Sequence, residues 1–114
     1  MTRPRKPKAP EHLAPATRRW WAAVLHDYEL EAHHVRLLTL AAEAWDRAVA
    51  AREALEAHGL TYTDRFGAPK ARPEVAIERD SRIAFARLLR ELDLDCEPPS
   101  ETPRPPGLRS NRRI

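Results

Sequence analysis

The chain has 114 residues, enough for one domain, with 20 Lys and Arg against 17 Asp and Glu. Its single cysteine, Cys96, excludes an intrachain disulfide and a CxxC-type metal site. No apolar run approaches the roughly 20 residues that span a bilayer, and the basic start lacks the apolar segment of a signal peptide. A cytosolic protein with no membrane partner is therefore expected.

The charge is unevenly placed. Residues 1–19 carry Arg3, Arg5, Lys6, Lys8, Arg18 and Arg19 against Glu11 alone, and residues 98–114 carry Arg104, Arg109, Arg112 and Arg113 against Glu101. The stretch between them is acidic. Proline marks the same division, with Pro4, Pro7, Pro10 and Pro15 in front and Pro98, Pro99, Pro103, Pro105 and Pro106 behind. Proline lacks an amide donor and fixes its backbone, so both ends are expected to be extended or disordered. The chain thus divides into a basic, Pro-rich flexible arm (1–14), a helical core (15–96) and a Pro/Arg-rich flexible tail (97–114). A core of this size makes monomer stability marginal.

The first helix is predicted from about Pro15 to Tyr28, where Trp20, Trp21, Val24, Leu25 and Tyr28 recur at helical spacing. Pro15 suits its first turn, and Leu13 lies just ahead as a capping hydrophobe. After a connector at Tyr28–Glu29–Leu30–Glu31, a second helix is predicted from about Ala32 to His58, free of proline and glycine and rich in alanine. Val35, Leu38, Ala42, Trp45 and Val49 line one stripe of it, widened by Leu37, Ala41, Ala48 and Leu55. Gly59 stands where a left-handed cap belongs, with Leu60 placed for the accompanying contact.

The run Leu60–Thr61–Tyr62–Thr63, the turn Asp64–Arg65–Phe66–Gly67–Ala68 and the return Pro69–Lys70–Ala71–Arg72–Pro73 suggest a small hairpin. Pro69 weakens the second strand, so an irregular loop is the alternative. Pro73 opens a third helix with Glu74 and Glu78 near its positive end and Val75, Ile77, Phe85, Leu88, Leu89 and Leu92 as apolar positions. The fold class is mainly α: a three-helix core with a long central helix, a short hairpin or loop before the last helix, and disordered basic termini. The first and third helices span about 20 and 30 Å, against roughly 40 Å for the second. Its wide apolar face therefore points to self-association, the alternative being that the two shorter helices share the coverage within one monomer.

Catalytic signatures are missing. The sequence has no GxxxxGK[ST], GxGxxG or HExxH motif. His33 and His34 are adjacent, so on a helix they point about 100° apart and cannot chelate one metal together. His12, His26 and His58 are scattered without carboxylates at ligand spacing. No enzyme activity, metal or cofactor is expected. Clustered Arg and Lys can instead neutralise phosphates with release of counterions, although basic tails also serve solubility alone. The first helix, its connector and the start of the second helix could form a helix–turn–helix that presents His33, His34 and Arg36 to a groove. The turn lacks glycine, however, and the second helix is long for a reader.

The order of these features resembles the small terminase subunits of tailed phages. The residues that carry the resemblance begin with Pro10–Glu11–His12–Leu13 and Arg19–Trp20–Trp21. They continue with the alanine-rich helix through Ala44–Trp45–Asp46–Arg47, the helix-ending His58–Gly59–Leu60, and the turn Thr63–Asp64–Arg65–Phe66–Gly67–Ala68–Pro69–Lys70. Arg72–Pro73–Glu74 and a last helix closing on Glu91–Leu92–Asp93–Leu94 complete it, over about residues 10–95. After that helix, where similar proteins often carry Thr-Pro-x-x-Arg, this chain has Asp95–Cys96–Glu97–Pro98–Pro99–Ser100.

The resemblance implies a non-catalytic, ring-forming homo-oligomer in the host bacterial cytoplasm. Such a protein engages double-stranded viral DNA and recruits or regulates a separate large subunit carrying the ATPase and nuclease. On that reading the second and third helices build the ring, with Trp45, Val49, Phe85 and Leu88 among its core positions. Arg3, Arg5, Lys6, Lys8, Arg18 and Arg19 form a first DNA-contacting set, and Arg65, Lys70 and Arg72 a second. The alternatives are a helix–turn–helix transcriptional regulator and a protein-only helical adaptor.

Overall fold

A computed structural model describes residues 6–94. Their elements run α1 (Pro15–Asp27), α2 (Ala32–His58), β1 (Thr61–Thr63), β2 (Pro69–Ala71) and α3 (Pro73–Leu92). The expected mainly helical architecture is present, α2 has its predicted bounds, and the segment ahead of α3 is a hairpin rather than an irregular loop. The first helix stops short of Tyr28, which is extended at φ −131° and ψ 145°.

Ala14 occupies the N-cap of α1 and offers no side-chain cap, so the start of the helix is served from elsewhere. Asp46 of α2 accepts hydrogen bonds from the Ala14 N–H at 2.8 Å and the Thr17 hydroxyl at 2.5 Å. A carboxylate at this place satisfies a free donor and faces the positive end of the helix dipole. Further along, Trp21 Nε1 donates to Thr39 Oγ1, which donates in turn to the Val35 carbonyl, both at 3.1 Å. These contacts run α1 back along the N-terminal and middle turns of α2.

Between the helices lies a core of Leu13, Trp21, Val24, Leu25, Leu38, Ala42 and Leu92. Leu13, expected only as a hydrophobe ahead of the helix, is fully part of it. Leu92 belongs to the last turn of α3, so α3 returns antiparallel to α2 and closes the cluster.

The principal partner of α2 is α3. Burial on α2 does not follow the expected stripe throughout: Leu38 and Ala42 are buried, Val35 and Val49 are half-buried, and Trp45 is 46% exposed. Ala41, Ala44 and Ala51 are buried instead. Two partners explain the shift. α1 and the end of α3 both meet the Leu38–Ala42 side, and the buried Ala41, Ala44 and Ala51 are small enough to permit close approach of a neighbouring axis. Ser81, the small residue buried on α3, fits the same seam.

Gly59 ends α2 with φ 85° and ψ 177°, a region essentially reserved for glycine, while its N–H donates to the Leu55 carbonyl at 2.7 Å. This ψ is not that of the expected left-handed cap. It sends the chain directly into β1 and leaves Leu60 64% exposed.

β1 and β2 pair antiparallel in the register Thr61↔Ala71, Tyr62↔Lys70, Thr63↔Pro69. Arg72 N–H donates to the Leu60 carbonyl and Asp64 N–H to the Ala68 carbonyl, each at 2.9 Å. Bonded pairs therefore alternate so that the backbone of Pro69 faces outward. The missing proline donor falls on the open side of β2 and interrupts nothing in the ladder.

Candidate nucleic-acid and assembly surfaces

The expected DNA-contacting residues fall in separate places. Arg3 and Arg5 lie outside the described residues. Lys6 and Lys8 are exposed, and Lys6 Nζ donates to the Leu25 carbonyl in the last turn of α1. A cation on these free carbonyls complements the negative end of the helix, which gives Lys6 a structural task beside any phosphate contact. Arg18 and Arg19 sit near the opposite end of the same helix, Arg19 exposed and Arg18 half-buried. Among the described members of the first set, Lys6 thus reaches the C-terminal end of α1 while Arg18 and Arg19 lie near its N-terminal end.

The second set is carried by the hairpin beyond the C-terminus of α2. Both strands are exposed along their whole length, so the ribbon stands clear of the helices. Arg65 is in the turn, with its guanidinium carbon 4.9 Å from the centroid of the Phe66 ring. Lys70 is exposed on β2 opposite Tyr62. Arg72, at the N-cap of α3, is half-buried, with its Nε shielded from solvent. Arg65 and Lys70 are therefore the freer cations of this set.

Phe66 itself is the residue that the sequence reading passed over. It is 80% exposed, at the tip of the ribbon. The tip is held by Asp64: Oδ1 accepts from the Phe66 and Ala68 N–H groups at 2.8 and 2.9 Å, and the Asp64 carbonyl accepts from Gly67 N–H at 3.0 Å. Gly67 has φ 80°, the left-handed conformation that this turn requires. The turn itself was expected; an Asp two residues ahead of an aromatic and three ahead of a glycine is the signal that could have marked Phe66 as held at its tip.

Of the positions expected to build an assembly core, Trp45 and Phe85 pack on each other with centroids 5.1 Å apart and planes tilted by 54°. Trp20 meets Phe85 at 6.0 Å from the other side. Ala16, Thr17, Trp20, Trp45 and Phe85 together line an open, mainly apolar cleft of about 240 Å³. Val49 and Leu88 are half-buried. Leu40 and Trp45 on α2, with Ile77 and Ile83 on α3, remain exposed.

The connector of the possible helix–turn–helix runs through Leu30, which packs against the core. His33 and Arg36 are exposed at the start of α2, and His34 is half-buried. Among the described residues no group of His, Cys, Asp and Glu is arranged to hold a metal ion, and no helix is long and apolar enough to cross a membrane.

A family model described as phage terminase, small subunit, matches residues 17–102. No curated protein and no solved structure matches the chain. The matched region takes in α1 from Thr17 onward, α2, the hairpin and all of α3, and covers well over half of the sequence: the chain belongs to the phage terminase small subunit family.

Proposed function

We propose that this protein is the non-catalytic, DNA-engaging component of a phage packaging machine. It assembles into a ring of identical subunits in the host cytoplasm and delivers double-stranded viral DNA to a large subunit that carries the ATPase and nuclease. The observation that supports assembly is the apolar surface left uncovered on both helices of the α2–α3 pair, at Leu40, Trp45, Ile77 and Ile83. Large apolar side chains left exposed on neighbouring helices are positions that a second copy can cover. The Trp45–Phe85 contact and the half-buried Val49 and Leu88 are assigned to the same interface. DNA engagement is assigned to Arg3, Arg5, Lys6, Lys8, Arg18 and Arg19, and to Arg65, Lys70 and Arg72 on the hairpin, through salt-dependent phosphate contacts.

Light scattering after size exclusion, paired with a gel-shift salt series on duplex DNA, tests both halves. A discrete species many times the 13.0 kDa chain mass is expected, with duplex affinity that falls as salt rises. Arg18→Glu with Arg19→Glu is expected to lower that affinity across unrelated sequences and to reduce the salt slope by about two. A monomer that prefers one short site would establish the helix–turn–helix regulator instead, and duplex left unshifted at every salt would establish the protein-only adaptor.

A further inference from the structure

We infer that Phe66 is a wedge that enters duplex DNA between neighbouring base pairs and bends it, with Arg65 and Lys70 holding the flanking phosphates. This rests on the DNA-engaging reading above and names what the hairpin does to the duplex. Three features of the tip carry it.

The ring is presented, not packed: it is 80% exposed, at the end of a ribbon whose strands are themselves exposed. The presentation is rigid, because Asp64 anchors three backbone N–H groups of its own turn. Little conformational entropy is then lost when the tip enters a confined space. The surroundings are cationic: Arg65 lies over the Phe66 ring and Lys70 stands on the second strand, while the one acidic residue of the turn, Asp64, is occupied by the backbone.

Each feature matches one requirement of duplex wedging. Apolar wedges kink DNA by partly unstacking one base step, and the bent duplex then meets more protein surface. A base can stack on the ring face that Arg65 leaves free, while the guanidinium stays within reach of the backbone. Flexible pyrimidine–purine steps lower the deformation energy, so the wedge selects where it enters without reading a base edge. A protein partner fits less well, since the tip offers it a single apolar ring among charges.

The test uses the full chain and a short duplex with a central TA step. The duplex carries 2-aminopurine beside that step and a fluorescence-transfer pair at its ends. The wild-type protein at about 50 mM salt is expected to raise the 2-aminopurine emission and bring the ends closer. Phe66→Ala should abolish both signals and weaken binding about tenfold, and Phe66→Trp should restore them. Circular dichroism and solution mass of the variants should match the wild type.

If Phe66→Ala binds and reports like the wild type, the wedge is wrong while the DNA-engaging reading stands. If the wild-type protein does not bind the duplex at all, both fall together. If Phe66→Ala changes the solution mass and leaves both DNA signals intact, the tip is a contact between protein chains and the wedge is overturned.

Discussion

α1 and α3 both pack on α2, and they hold it by different means. The α1 seam combines one large buried side chain, Trp21, with directed polar contacts: Asp46 on the start of the helix, Thr39 on the indole, and Glu43 on His12 at 2.8 Å. The α3 seam is the more extensive, and the small residues Ala41, Ala44 and Ala51 of α2 and Ser81 of α3 are buried. Directed hydrogen bonds fix one register and orientation, and are lost singly. Close packing of small residues is spread along the helices and is sensitive to added volume rather than to lost partners. One seam is fastened at points and the other fits along a line.

Substitutions that attack each seam should therefore separate them. Trp21→Ala removes the largest buried side chain of the α1 seam and frees Thr39, with an expected loss of about 3–5 kcal/mol in a urea titration. Retention of wild-type stability would mean that α1 contributes little to the fold. Ala44→Leu adds volume at a buried position of α2 and is expected to cost about 1–3 kcal/mol, with faster amide exchange in α3 than in α1. The reverse order of exchange would show that the alanine line is not the seam. Asp46→Ala leaves the Ala14 N–H and the Thr17 hydroxyl without their partner and should cost about 1–2 kcal/mol. Its exchange signature is the opposite one, with α1 amides loosened and those of α3 preserved. Equal loosening of both helices would merge the two seams into one cooperative unit.

The difference between the seams also explains what the sequence made legible. Periodicity, proline placement and Gly59 located all three helices and the hairpin, because these signals act within a few residues of the element they shape. The azimuth of burial on α2 was not legible. Val35, Trp45 and Val49 are larger and more apolar than Ala44 and Ala51, and hydrophobicity alone ranks them as the better core. What decides burial is the side from which α3 arrives, which is a tertiary fact. Asp46 is a similar case, since a cap donated across 32 residues leaves no local pattern beside Ala14. The position of Leu13 just ahead of the helix is local and legible, whereas its depth in the core depends on α2 and α3.

The candidate surfaces divide in the same way. Arg65, Lys70 and Arg72 could be named from composition, but only the fold distinguishes the two free cations from the half-buried Arg72. Lys6 could be named as a basic residue, but not as a partner of the Leu25 carbonyl. Phe66 and Phe85 are indistinguishable by residue type, yet one is offered to solvent while the other is flanked by Trp20 and Trp45.

Pro69 gives the ribbon a property that concerns the crowding of many copies. A two-stranded ribbon has open edges, and an open edge is a template on which a further strand can add. On the β2 side, the outward-facing position at Pro69 offers no donor, so an incoming strand would find its ladder broken there. Stacking of subunits strand upon strand, the route to fibres, is discouraged along that edge. On the proposed reading, copies brought to high local concentration would meet through their helices, where a rotation that closes yields a ring and one that does not yields a filament.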